Sequence, residues 1–104
     1  MALTKEFKET VKARAQRDAE FREALLTEAV EQLLAGELET GKAVLRDYIN
    51  ATVGFEKLAR MTGTPPKSLM RMLGPKGNPR ASNLLMVISK LQRASGVHLA
   101  VAAR

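Results

Sequence analysis

The chain contains 104 residues, the size of a single domain. Apolar residues make up 45% of it and charged residues 27%, which is typical of a globular protein. Cysteine is absent and His98 is the one histidine, so disulfides, thiolate metal sites and histidine-pair catalysis are excluded. Neither an apolar leader nor a run long enough to span a bilayer occurs in the sequence. We therefore expect a cytoplasmic protein with no membrane partner.

Charge is distributed unevenly along the chain. Lys and Arg number 17 and Asp and Glu number 11, which gives a net charge of +6. Residues 1–54 carry 8 basic and 10 acidic side chains, whereas residues 55–104 carry 9 basic side chains and a single acidic one, Glu56. Such a basic half repels itself unless a polyanion neutralises it, and nucleic acid is the usual polyanion. A solvated basic surface would have the same composition, so charge alone does not decide between the two.

The first 62 residues predict three helices, because they lack proline and repeat apolar residues at helical spacing. Thr4 is the expected N-cap of the first helix, and Asp18 is that of the second, which ends at Gly36. The third helix is expected to begin near Glu39 or Thr40. The single tyrosine and the three phenylalanines lie at helix spacing, and we expect them in the core.

Shorter elements are predicted in the second half. Residues 55–62 and 66–73 form two short helices that Gly63 separates, and the glycine- and proline-rich stretch 74–79 forms a loop.

A last long helix begins at Arg80 or Ser82 and ends at Ser95 and Gly96. Beyond it, residues 97–101 alternate between apolar and polar side chains, which predicts a short C-terminal strand.

Two short helices joined by a tight glycine turn follow the plan of a helix-turn-helix motif. The motif needs a small residue where the helices cross, a turn residue with positive φ four positions later, and buried apolar residues in the second helix. The residues that meet these demands are Leu58, Ala59, Gly63, Leu69 and Met72. The same plan is common in helical proteins that bind no DNA. The scarcity of acidic residues around it favours DNA binding.

The second helix of this motif would enter the major groove of double-stranded DNA. The residues expected to contact base edges are Pro66, Lys67, Met70 and Arg71. The residues expected to contact phosphates without recognising sequence are Lys57, Arg60, Thr64, Ser68, Lys76, Asn78 and Arg80. Thr64 is also the expected N-cap of the second helix.

Three features follow one another in the second half: the stretch LARMTGTPPKSLMRML, the loop Gly77-Asn78-Pro79, and a final amphipathic helix. Together they resemble the addiction-module antidote proteins, which are HigA-like antitoxins with a helix-turn-helix of the Cro/C1 (XRE) type. The likeness covers about Leu38 to Val101. It implies an all-α, Cro/C1 (lambda repressor-like) bundle over residues 38–104, preceded by an N-terminal helical extension over residues 1–37.

The resemblance also implies a function. A member of this family is the antitoxin of a RelE/ParE-type toxin–antitoxin module, and it represses transcription of its own operon. Two positions depart from the family pattern. Pro65 replaces the usual serine cap, and Pro75-Lys76 stands where an acidic pair is common.

We expect a homodimer on a palindromic operator, because a single recognition helix buries too little surface. Either the N-terminal helices or the strand 97–101 would form the dimer surface. Two alternatives to the antitoxin are a stand-alone repressor without a toxin and a helical protein-interaction domain that does not bind DNA. We expect no enzyme activity, cofactor or metal site, because the acidic residues lie on solvated helix faces and no phosphate-binding glycine loop occurs.

Overall fold

The computed structural model describes residues 4–104, and over that range it is entirely helical, with six helices and no strand. The helices are α1 (Lys5–Arg17), α2 (Ala19–Leu34), α3 (Leu38–Ala51), α4 (Gly54–Thr62), α5 (Pro66–Met72) and α6 (Ala81–Ser95). The all-α class and the order of the predicted helices are confirmed. No helix in this part of the chain combines the length and the apolar character needed to cross a membrane.

The starts of α1 and α2 follow from local capping chemistry, as predicted. Thr4 Oγ1 accepts a hydrogen bond from the backbone N–H of Phe7 at 3.1 Å, and Asp18 Oδ1 accepts one from Phe21 at 3.1 Å. The bond from the Phe21 amide is the largest cause of the lowered pKa of Asp18. At the other end of α2, Gly36 adopts a φ of 83°, which ends the helix where the sequence predicts.

One hydrophobic core joins α2 through α6. Its buried members are Leu26, Ala29, Leu45, Tyr48, Ile49, Phe55, Leu58, Ala59, Leu69, Leu73, Val87, Ile88, Leu91 and Val97. Because α2 contributes two of these side chains, the second helix of the N-terminal extension packs in the same core as α3 to α6. The division of the chain at residue 37 stays a prediction.

Two expectations about apolar residues were wrong. Phe7 is 53% exposed. The first turns of α1 face solvent, and Ala15 is the one residue of the helix that is fully buried. Residues 97–101 form no strand, because no second strand lies beside them in the range 4–104 to complete a hydrogen-bonded ladder. Instead Val97 packs into the core, and the N–H of Leu99 donates to Gln92 Oε1 at 2.8 Å.

Candidate nucleic-acid interface

Gly63 ends α4 and sets the direction in which the chain enters α5. Its backbone is left-handed, with φ 69° and ψ 18°, and its N–H donates to the carbonyl of Ala59 at 2.9 Å. A residue with a side chain would be strained in this conformation. Pro65 is extended and Pro66 occupies the first turn of α5, where no amide donor is needed. Two short helices joined by a tight turn therefore form where the sequence predicts them.

Thr64 is not the N-cap of α5, and that prediction was wrong. The helix begins at Pro66, so the cap position falls on Pro65, which has no side-chain acceptor. The N–H of Thr64 instead donates to Thr62 Oγ1 at 3.3 Å, and the Thr64 side chain is half-buried.

The inner face of α4 and α5 contains the apolar residues that the motif requires. Leu58, Ala59 and Leu69 are buried and Met72 is half-buried. Leu73, which follows α5, is also fully buried. The two helices are thus anchored in the core by the residues that the sequence singled out, and their opposite sides are left to solvent.

The outer side of α5 carries the residues expected to contact bases. Lys67, Met70 and Arg71 are exposed and Pro66 is half-buried. Met70 is a large apolar side chain, yet it remains 47% exposed. Lys67 and Arg71 are one turn apart and so lie on the same side of the helix. Within residues 4–104, neither forms an ion pair or a side-chain hydrogen bond.

The residues expected to contact phosphates come from α4, α5 and the loop that follows. The exposed ones are Lys57, Arg60, Ser68, Lys76, Asn78 and Arg80, and Thr64 is the half-buried exception. The structure therefore leaves six of the seven side chains free to meet a partner surface.

A cleft of about 360 Å³ lies between α4 and the start of α5, and it contains an acidic group. Glu56 lines it together with Arg60, Thr64 and Pro66. The sequence marked Glu56 as the one acidic side chain of its half, but it did not place that carboxylate inside the site. There it would repel phosphate.

We expect Glu56→Gln to strengthen DNA binding by about two- to fivefold at low salt. The substitution removes an exposed negative charge whose repulsion of phosphate is worth about 0.5–1 kcal/mol. Binding to a labelled duplex at 50 and 200 mM salt measures the change. Glu23→Gln removes the same charge from an exposed position on α2 and should leave binding unchanged. An equal gain in both variants would show that only net charge matters.

The end of α5 is supported by a buried lysine that the sequence analysis missed. Lys42 of α3 is fully buried, and its Nζ donates to the carbonyls of Gly74 at 2.9 Å and Gly77 at 2.6 Å. Its ammonium group also lies 3.0 Å from the carboxylate of Glu39. Lys42 stands three residues before Leu45 on the inward stripe of α3, and a cation on an apolar stripe was the available signal.

A second cation of α3 holds the same region. The guanidinium of Arg46, one turn after the buried lysine, donates to the carbonyl of Leu73 at the end of α5. A Cβ at Gly77 would overlap the carbonyl oxygens of Arg71 and Met72, so only glycine fits where the loop closes on α5. The loop that carries the expected phosphate contacts is therefore fixed against the last turn of α5.

We expect Lys76→Ala to weaken binding to all duplex sequences alike, because the ammonium group on the loop is predicted to contact phosphate oxygens rather than base edges. The slope of log affinity against log salt should become shallower by about 0.9. Titrating two duplexes of unrelated sequence checks this. A loss confined to one of them would contradict the assignment.

Residues 4–104 contain no group of three or more His, Cys, Asp or Glu side chains placed to hold a metal ion. No protein-family model, curated protein or solved structure matches the chain.

Proposed function

We propose that the protein is a sequence-specific transcriptional regulator that binds double-stranded DNA. In this proposal α4 and α5 form a helix-turn-helix, and residues 38–104 form a Cro/C1-like bundle. The helices α1 and α2 belong to the N-terminal extension over residues 1–37. The observation that carries the proposal is the exposed pair Lys67 and Arg71, one turn apart on the outer side of α5 and free of internal partners within residues 4–104.

The outer side of α5 has the chemistry needed to recognise bases in the major groove. Lys67 and Arg71 donate hydrogen bonds, and guanine offers two acceptors, O6 and N7, at its groove edge. Met70 presents an apolar surface to a thymine methyl group. Pro66 stands at the start of the helix, at the end that would enter the groove.

Phosphate contacts would fix the position of α5 in the groove. The first helix of such a motif crosses the DNA backbone, and α4 carries the exposed cations Lys57 and Arg60. Lys76 and Arg80 follow α5 and would hold the backbone on its other side. These contacts set register and supply affinity, and the base contacts supply specificity.

We further propose that the protein binds a palindromic operator as a homodimer. A single recognition helix binds weakly, and two half-sites one helical turn apart raise the affinity for the operator. The N-terminal helices or the C-terminal segment 97–101 would form the dimer surface. The protein would act where the operator is, in the cytoplasm of the cell that carries the gene.

We extend the proposal to an antitoxin because α2 presents an acidic surface. The exposed acidic side chains of this helix are Glu20, Glu23, Glu28 and Glu31. A basic toxin of the RelE/ParE type is complementary to such a surface. Co-purification of a basic protein encoded next to this gene, lost when the four glutamates are changed to glutamine, would support the role. Operator binding without such a neighbour would leave a stand-alone repressor.

Selection of binding sites from random duplexes tests the main proposal. We expect an enriched palindrome whose affinity falls about a thousandfold between 50 and 200 mM salt, as for proteins that neutralise at least six phosphates. Neither enrichment nor salt dependence would occur for a helical protein-interaction domain, and that result would overturn the proposal.

A further inference from the structure

α1 differs in charge from the remainder of the N-terminal half. It contains five basic and two acidic side chains, whereas residues 18–54 contain three basic and eight acidic ones. Three lysines of α1 lie on one side of the helix because they are spaced i, i+3, i+7. They are Lys5, Lys8 and Lys12. All three are exposed, and within residues 4–104 none lies within 4.0 Å of a carboxylate oxygen. We call these three residues the lysine face of α1.

The lysine face borders a groove between α1 and the last turns of α3. The groove has a volume of about 430 Å³, and the three lysines line it together with Val11. Asn50 and Ala51 line it from α3. The lysine face is therefore part of a concave surface that could hold an extended partner.

A second groove lies beside the first, between α1 and α4. It has a volume of about 280 Å³ and shares Ala51 with the first. Gln16 of α1 and Lys57 of α4 both line it. The lysine face and the exposed cation of α4 that is proposed to contact phosphate therefore border neighbouring grooves.

Two carboxylates also line the first groove, and they do not cancel its charge. Glu9 is exposed. Burial raises the pKa of Asp47, and the nearby charges of Lys8 and Arg46 act in the opposite direction. The lysine face and Lys57 outnumber these two acids, so the two grooves together carry net positive charge.

We propose that the lysine face of α1 binds the phosphate backbone of duplex DNA outside the bases that α5 recognises. The inference rests on the proposed function, because α4 must cross the backbone for DNA to reach the groove beside Lys57. From Lys5 to Lys12 the helix rises about 10 Å. Measured along the axis of the duplex, one DNA strand advances by that distance in about three nucleotides. The lysine face therefore matches a short stretch of flanking duplex.

The test compares Lys5→Gln/Lys8→Gln/Lys12→Gln with the unaltered protein on two duplexes. One carries the selected site with eight flanking base pairs on each side, and the other ends at the site. On the long duplex, we expect the slope of log affinity against log salt to be shallower for the triple variant. The difference should be about 2 to 3 for each protomer, since each phosphate contact contributes about 0.9 to the steepness of the slope. On the trimmed duplex the two proteins should bind alike.

Two further variants serve as controls. Replacing the three lysines by arginine keeps the charge and should keep the slope. The variant Lys90→Gln/Arg93→Gln/Arg104→Gln removes the same net charge from residues outside both grooves, and it should lose much less on the long duplex.

The outcomes separate this inference from the proposed function. If the unaltered protein binds its site with strong salt dependence and the glutamine variant of the lysine face has the same slope, the inference is wrong and the proposed function stands. Equal losses on the long and trimmed duplexes would also overturn it, because the lysines would then not act on flanking DNA. If the unaltered protein binds no duplex, the proposed function fails, and this inference fails with it.

Discussion

Replacing both Lys67 and Arg71 by alanine is expected to abolish selective binding to the operator. Each side chain is assigned a base contact worth about 1–3 kcal/mol, so the pair together accounts for roughly 30-fold to 2 × 10⁴-fold in affinity for the selected site. Binding to unrelated duplexes should fall far less, because the phosphate contacts on α4 and the loop remain. Fluorescence anisotropy with the selected site and a scrambled duplex measures both effects.

The matched control is Lys57→Ala/Arg60→Ala, which removes two exposed cations from α4. This variant should weaken binding to both duplexes by the same factor. Since all four side chains are exposed, neither double variant should change the melting temperature appreciably. If the α5 variant still preferred the selected site, the placement of α5 in the major groove would be wrong.

Lys42→Met is expected to cause a large loss of stability. The methionine keeps most of the buried stem but leaves the carbonyls of Gly74 and Gly77 without their donor. Losing two hydrogen bonds from a buried charged group costs about 3 kcal/mol. In a domain of this size that lowers the melting temperature by about 12–24 °C. Thermal unfolding followed by circular dichroism measures the shift.

The control is Lys67→Met, the same substitution at an exposed position, which should change the free energy of unfolding by less than about 0.5 kcal/mol while weakening DNA binding. Gly77→Ala tests the same support from the loop side, because its Cβ would overlap carbonyls of α5. An unchanged melting temperature in both Lys42→Met and Gly77→Ala would show that the loop is not fixed by these contacts.

The features that the sequence predicted correctly depend on neighbours close in the chain. Thr4 and Asp18 cap helices through amides three residues away, and Gly63 ends α4 through its own left-handed backbone. The spacing of Leu58 and Leu69 identified the inner face of α4 and α5, because helical periodicity fixes which side chains share a side. Local chemistry was therefore sufficient to predict which side of α5 is buried and which is exposed.

The features that the sequence did not predict depend on contacts between distant segments. Lys42 bonds to carbonyls 32 and 35 residues later, and nothing in the pattern of α3 names that partner. Glu56 enters the cleft only because α5 starts beside it. Phe7 fits a helical stripe, yet its exposure is decided by where α1 rests on the bundle. A strand at residues 97–101 needs a second strand, and residues 4–104 provide none.

The central claim is that the outer side of α5 is the surface that meets DNA. Titration of the ¹⁵N-labelled protein with its selected duplex, followed through the backbone amide resonances, tests it most directly. We predict the largest chemical-shift changes over residues 64–71, smaller ones at Lys57, Arg60 and the loop 74–80, and almost none on the outward side of α2. Large changes on α2 with α5 unaffected would contradict the account.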